Sequence, residues 1–164
     1  MKEVLLLRHA KSSWAYSVAD RNRPLLEKGI KRMQAMATKR PEVFSSVDVF
    51  YASPANRALH TACLAMYTCE IPFEKLQVVE TLYTFESVTL LHFLRTLPND
   101  LSSVCLVGHN PALSVLVAKL SQNLIQHLPT AAWVKLIFAQ DQWEFIEKGS
   151  ATWGLPKELL GNKE

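Results

Sequence analysis

The sequence predicts a three-layer α/β/α sandwich around a mainly parallel sheet, finished at one edge by an antiparallel hairpin. Three observations carry that expectation: short continuous apolar runs that stop abruptly at polar residues, segments of helical period between them, and Ser-Pro or Asn-Pro pairs where strand should pass into helix. A strand covered on both faces has no reason to alternate, so unbroken apolar runs mark the interior of such a sheet.

The first run, Val4-Leu5-Leu6-Leu7, ends at Arg8 and reads as a central strand. Leu26, Ile30, Met33 and Ala37 then recur at helical spacing, and Pro41 closes the segment, predicting a helix over about 25–39. Residues 47–52 form the second strand, and Ser53-Pro54 reads as an N-cap followed by proline at the first helical position, with Ala58, Leu59, Ala62 and Met66 continuing the helix. A brief strand at 77–79, a helix over 87–97 and a buried strand at 104–107 come next. Asn110-Pro111 repeats the cap-plus-proline signal ahead of Leu113, Leu116, Val117 and Leu120. The runs 133–138 and 143–146, separated by Gln140-Asp141, predict the terminal hairpin. No repeat, low-complexity tract or linker interrupts this pattern, so residues 1–164 are expected to form one domain, with a loosely ordered polar tail after Lys157.

Composition narrows the function classes. Nearly half of the 164 residues are hydrophobic, enough for one sizeable core. The formal charge of +3 is spread among acidic residues without a basic stripe, which argues against nucleic acid or an anionic membrane as partner. Cys63, Cys69 and Cys105 have neither disulfide-framework nor zinc-finger spacing, and read as buried or unpaired thiols. The N-terminal apolar run is too short for a signal peptide, and no stretch reaches the roughly 20 apolar residues of a membrane-spanning helix, so a soluble cytoplasmic protein is expected.

In open α/β sheets, ligands bind beyond the carboxyl ends of the strands. That rule selects Arg8-His9, the segment from Ser53 to Arg57, and Gly108-His109-Asn110. Arg57 falls in the first turn of its helix, where the macrodipole disfavours a cation, and its side chain leans back toward the strand ends. A bound anion would reverse that penalty; a local carboxylate is the plainer partner. Two imidazoles and two guanidiniums on one edge would make a cationic pocket suited to a phosphoryl group, and neighbouring cations would keep His9 neutral and nucleophilic. No metal or other cofactor is called for, since the arginines supply the positive charge.

Arg8-His9-Ala10-Lys11-Ser12-Ser13-Trp14 resembles the opening motif of the histidine phosphatase (phosphoglycerate mutase-like) superfamily, specifically its short SixA-type phosphohistidine phosphatases. Four further segments agree in order: Asp20 with Arg23-Pro24-Leu25 and Gly29; Ser53-Pro54-Ala55 with Arg57 and Thr61; Gly108-His109-Asn110-Pro111; and Leu128-Pro129-Thr130. The resemblance implies that His9 accepts the phosphoryl group, that Arg8 and Arg57 clamp its oxygens, and that His109 completes the pocket. Ser12 is implied as a lesser contact, and Asn110 reads rather as a capping residue. Larger members use an acidic proton donor, for which Glu80 is the positional candidate against a structural role. Leu26 replaces the small hydroxyl residue that commonly caps the following helix, and Ala10 replaces a glycine of the broader motif.

His60, His92 and His127 lack a companion that would suggest a metal and read as structural or solvent-facing. Trp133 and Trp143 fit the hairpin, and Trp14 fits the pocket mouth. Three functions remain open at this stage: dephosphorylation of phosphohistidine on a protein, hydrolysis of a small phosphoester with Glu80 as acid, and a phosphate- or phosphoprotein-binding module without turnover.

Overall fold

The computed structural model describes residues 1–122 and 127–157, so the tail after Lys157 lies outside the described residues. Six strands form one sheet: β1 (Lys2–Arg8), β2 (Val49–Ala52), β3 (Leu76–Val78), β4 (Ser103–Gly108), β5 (Trp133–Phe138) and β6 (Ser150–Gly154). Their spatial order is β3-β2-β4-β1-β5-β6. The first four run parallel, and β5 and β6 continue the sheet antiparallel.

The helices are α1 (Glu27–Lys39), α2 (Pro41–Ser45), α3 (Asn56–Thr68), α4 (Ser87–Arg95) and α5 (Ala112–Leu120). Two apolar clusters cover the two faces of the sheet. Met33, Met36 and Phe44 with Ala58, Ala62, Ala65 and Met66 bring α1, α2 and α3 onto one face. Leu90 and Leu94 with Leu113, Leu116 and Val117 bring α4 and α5 onto the other. Successive residues of β1 alternate between these clusters, Val4 and Leu6 to one and Leu5 and Leu7 to the other, so both sets must be apolar and the run is continuous.

Two expectations need correction. Residues 143–146 are not a strand: Trp143–Phe145 is a 3-10 turn, and the strand paired antiparallel with β5 is β6. Trp143 is fully buried, its backbone N–H donating to Asn99 Oδ1 at 2.9 Å and its indole N–H to the Leu101 carbonyl at 3.0 Å. The apolar run was thus a plug in the core rather than a half-buried ladder. The true edge strand, Ser-Ala-Thr-Trp-Gly, is mostly exposed and carried little apolar signal.

The second correction concerns Ser53-Pro54. α3 begins two residues later, with Ala55 at its N-cap and no side-chain cap bond. The Ser53 hydroxyl oxygen accepts the Ala55 N–H at 3.2 Å ahead of the helix and meets His109, described below. At α5 the N-cap falls on Pro111, one residue later than expected, although Asn110 Oδ1 still accepts the Ser114 N–H of the first turn at 3.2 Å. Leu26, at the N-cap of α1, makes no side-chain cap bond. The remaining helix and strand boundaries move by one to three residues, within the ordinary fraying of ends.

Candidate active site

β1 and β4 lie side by side with Arg8 in register with Gly108, and β2 borders β4 with Ala52 in register with Val107. The chain leaves all three strands at the same edge. The ladder carries one step further, the His9 N–H donating to the Gly108 carbonyl at 3.2 Å and the Ser53 N–H to the Val107 carbonyl at 3.0 Å. Residues far apart in sequence, His9, Ser53 and His109, are thereby neighbours. His9 and His109 border a cleft of ≈ 440 Å³ that Arg8, Ser12 and Arg57 also line, so four expected catalytic residues and one expected lesser contact meet there.

His9 is 7% exposed. Its Nδ1 lies 2.7 Å from the Ala10 carbonyl oxygen, which can only accept, so the proton sits on Nδ1 and the Nε2 lone pair is left free. Burial lowers its pKa first; the Ala10 bond opposes, and Arg57, Arg8 and Arg23 lower it again, to about 4. The ring is neutral at physiological pH. The Ala10 backbone is anchored in turn, its N–H donating to Thr61 Oγ1 at 2.9 Å while the Thr61 hydroxyl donates to the Arg57 carbonyl within α3.

The His109 ring stands 5.3 Å from the His9 ring, centroid to centroid. Its Nε2 is 2.8 Å from the Ser53 hydroxyl, the bond that diverts Ser53 from capping. Burial, then Arg57 and His9, push its pKa down to about 3 against the opposing pull of Asp20. Arg8 donates to the Leu128 carbonyl at 2.9 Å and lies 3.4 Å from His127 Nε2, which places a histidine read as merely structural or solvent-facing against a site residue. Among the described residues, four buried side-chain polar atoms lack a partner, and three are here: Arg8 Nε, Arg57 Nε and His109 Nδ1. A buried polar atom left unpaired costs about 1–3 kcal/mol, so their concentration in one cleft makes it the candidate functional site.

Arg57 is buried and points back across the strand ends as its place in α3 requires. The anion that answers its misplaced charge is Asp20: Arg57 donates to the Asp20 carbonyl at 2.7 Å and to its carboxylate at 3.0 Å. Asp20 also accepts from Arg23 Nε at 3.1 Å and from the Tyr83 hydroxyl. Burial pushes the Asp20 carboxyl up, but the bonds from Tyr83, Arg57 and Arg23 prevail and hold it at about 2. Arg23 is the third guanidinium of the cleft. It reaches Ser12 Oγ at 2.7 Å and lies 3.5 Å above the Trp14 ring, so Ser12 acts as its acceptor and Trp14 borders the mouth as expected. Asp20 and Arg23 stand within a motif segment of the sequence, but only the pairing of the Asp20 carboxylate with both Arg57 and Arg23 reveals their place beside the cleft.

Glu80 stands elsewhere. It sits in a 3-10 turn at the surface, its carboxylate paired by both oxygens with Arg21. The Arg21 bonds lower its pKa, which keeps it ionised and opposes service as a proton donor. It does not line the cleft.

The sequence model of the histidine phosphatase superfamily (branch 1) matches residues 4–80. Over 155 residues the chain is 26% identical to the uncharacterized protein MT1313 of Mycobacterium tuberculosis (strain CDC 1551 / Oshkosh), a match covering 88% of this chain and 94% of that one. The structure is similar to that of the protein histidine phosphatase SixA complexed with tungstate, with a TM-score of 0.81 at 22% identity, covering 96% of this chain and 99% of the other. It is also similar to the alpha-ribazole phosphatase from Shigella flexneri, with a TM-score of 0.64 at 18% identity and coverage of 93% and 95%.

Proposed function

We propose that the chain is a phosphatase of the histidine phosphatase superfamily and that it removes the phosphoryl group from phosphohistidine on a protein through a covalent intermediate on His9. The observation that carries this reading is the state of His9: neutral, tied through Nδ1–H to the Ala10 carbonyl, and set among Arg8, Arg57 and Arg23 with Nε2 free. A phosphoryl oxygen placed among three guanidiniums loses most of the repulsion that slows attack by a lone pair. The Nε2 lone pair forms the new P–N bond as the P–N bond to the substrate imidazole breaks. The departing imidazole takes a proton, and water then attacks phosphorus and returns His9 with inorganic phosphate as product.

Asp20 holds Arg57 and Arg23 in place rather than donating a proton, since a carboxyl at about 2 carries none near neutrality. The charge state and placement of Asp20 and Glu80 support this substrate class. An alkoxide leaving group needs a strong general acid, an imidazole does not, and Glu80 is engaged with Arg21 away from the cleft. Trp14 and Phe85, 79% and 49% exposed at the cleft, suit a protein surface more than a small, highly charged ester.

The test is to supply a phosphohistidine-carrying protein and, separately, generic phosphoesters to wild type, His9→Ala and Glu80→Gln. Wild type should release phosphate from the protein faster than from the esters and yield an acid-labile, alkali-stable phosphoenzyme. Equal release by His9→Ala would refute the mechanism; strong ester hydrolysis that depends on Glu80 would favour the phosphomonoesterase reading. A wild type that binds but releases nothing would point to a binding module.

A further inference from the structure

Lys11, which borders the cleft, lies over the first turns of α1: its carbonyl accepts the Leu26 N–H at 2.9 Å, and a Cβ on Gly29 would stand 2.4 Å from that same oxygen. This close crossing sets the Lys11 ammonium beside Lys28, with Arg32 one helical turn further on. Lys28 and Arg32 are spaced i, i+4 on α1, where like charges repel, and Lys28 stands at the helix N-terminus, where the dipole disfavours a cation. Lys28 foremost, then desolvation and Arg32, lower the pKa of Lys11. Among the described residues none of the three joins an ion pair, because Glu27, the one carboxylate in the first turn, is taken by Lys31. Three cations thus stand together against local electrostatics, with Lys11 at the border of the cleft and Lys28 and Arg32 behind it on α1.

We infer that Lys11, Lys28 and Arg32 form a docking ridge for acidic side chains that flank the phosphohistidine of a protein substrate, an inference resting on the protein-phosphatase reading above. Lys11 joins the ridge to the phosphoryl site, so a carboxylate close in sequence or in space to the phosphorylated residue meets the ridge while its phosphoryl group enters among the arginines. Exposed charges of this kind act through encounter and register rather than through the chemical step.

Two synthetic phosphohistidine peptides, alike except for glutamates or lysines beside the phosphohistidine, test this, with phosphoimidazole as a substrate that cannot reach the ridge. Wild type should prefer the acidic peptide by about tenfold in kcat/KM, with the preference fading as salt rises. Lys28→Glu with Arg32→Glu should abolish or invert the preference and leave phosphoimidazole hydrolysis within about twofold; Lys28→Gln with Arg32→Gln should give an intermediate result. Equal hydrolysis of both peptides by wild type, or a preference that survives charge reversal, would overturn the ridge while leaving the phosphatase reading intact. An equal loss on phosphoimidazole would also overturn it, since the cations would then act on the pocket itself. Failure of wild type on every phosphohistidine substrate would overturn both readings.

Discussion

Lowering the pH from 7 to 5 should destabilise this protein through its two buried imidazoles. In the unfolded chain a histidine titrates near 6.5, whereas folding lowers His9 to about 4 and His109 to about 3, with burial the leading cause for each. Between those limits the unfolded chain binds more protons, so stability rises with pH through the window and is lost as pH falls from 6.5 toward 4. Linkage gives a loss of about 2 kcal/mol for each imidazole between pH 7 and pH 5, and about 3–4 kcal/mol together because the two rings interact. The Asp20 carboxyl, lowered from 3.8 to about 2, stays ionised in both states above pH 5 and adds its own loss only below that. Denaturant unfolding followed by tryptophan fluorescence at the two pH values reads the effect. His109→Gln removes one of the two groups, so its loss between pH 7 and pH 5 should be smaller than that of wild type by about 2 kcal/mol. An equal loss in both proteins would show that His109 is not held neutral by the fold, and the electrostatic account of the cleft would fail with it.

The same lowering implies that kcat/KM keeps its acid limb near pH 4 rather than near 6.5, since that profile reports the free enzyme's essential base; a limb above 6 would contradict a neutral His9. Asp20→Asn should weaken the hold on Arg57 and Arg23, lowering stability by about 1–2 kcal/mol after allowance for the partial exposure of the carboxylate, and raising KM for a phosphohistidine substrate several-fold; unchanged kinetics would deny it the positioning role. Glu80→Gln should change phosphohistidine turnover by less than about threefold, as assayed by phosphate release, because only a surface pair with Arg21 is lost. Gly29→Ala drives a methyl against the Lys11 carbonyl and should cost about 1–3 kcal/mol, measured as a lowered melting temperature, with a wild-type value pointing to a looser crossing.

The apolar runs and helical periods of the chain predicted the sandwich and its mainly parallel sheet, because a strand buried on both faces and a helix buried on one leave distinct patterns. They failed at the edge, where Trp143 satisfies its indole on a carbonyl inside the core and the exposed β6 has no apolar face to announce it. Arg8, His9, Arg57 and His109 were legible because each sits at a strand end or in the first turns of a helix, places that local pattern locates. Ser53 was misread as a cap because no local rule foresees an imidazole arriving from β4.

By itself, then, the sequence determined the parallel strands, the longer helices and which basic side chains stand at their carboxyl edge, since periodicity acts over a few residues. Only the tertiary structure decided that Asp20, a partner 37 residues from Arg57, is the pocket's own anion, that Glu80 turns away to Arg21, and that Lys11 crosses α1. Those are contacts between distant segments, and their energies depend on burial and distance, which strand order and register set and residue spacing does not encode.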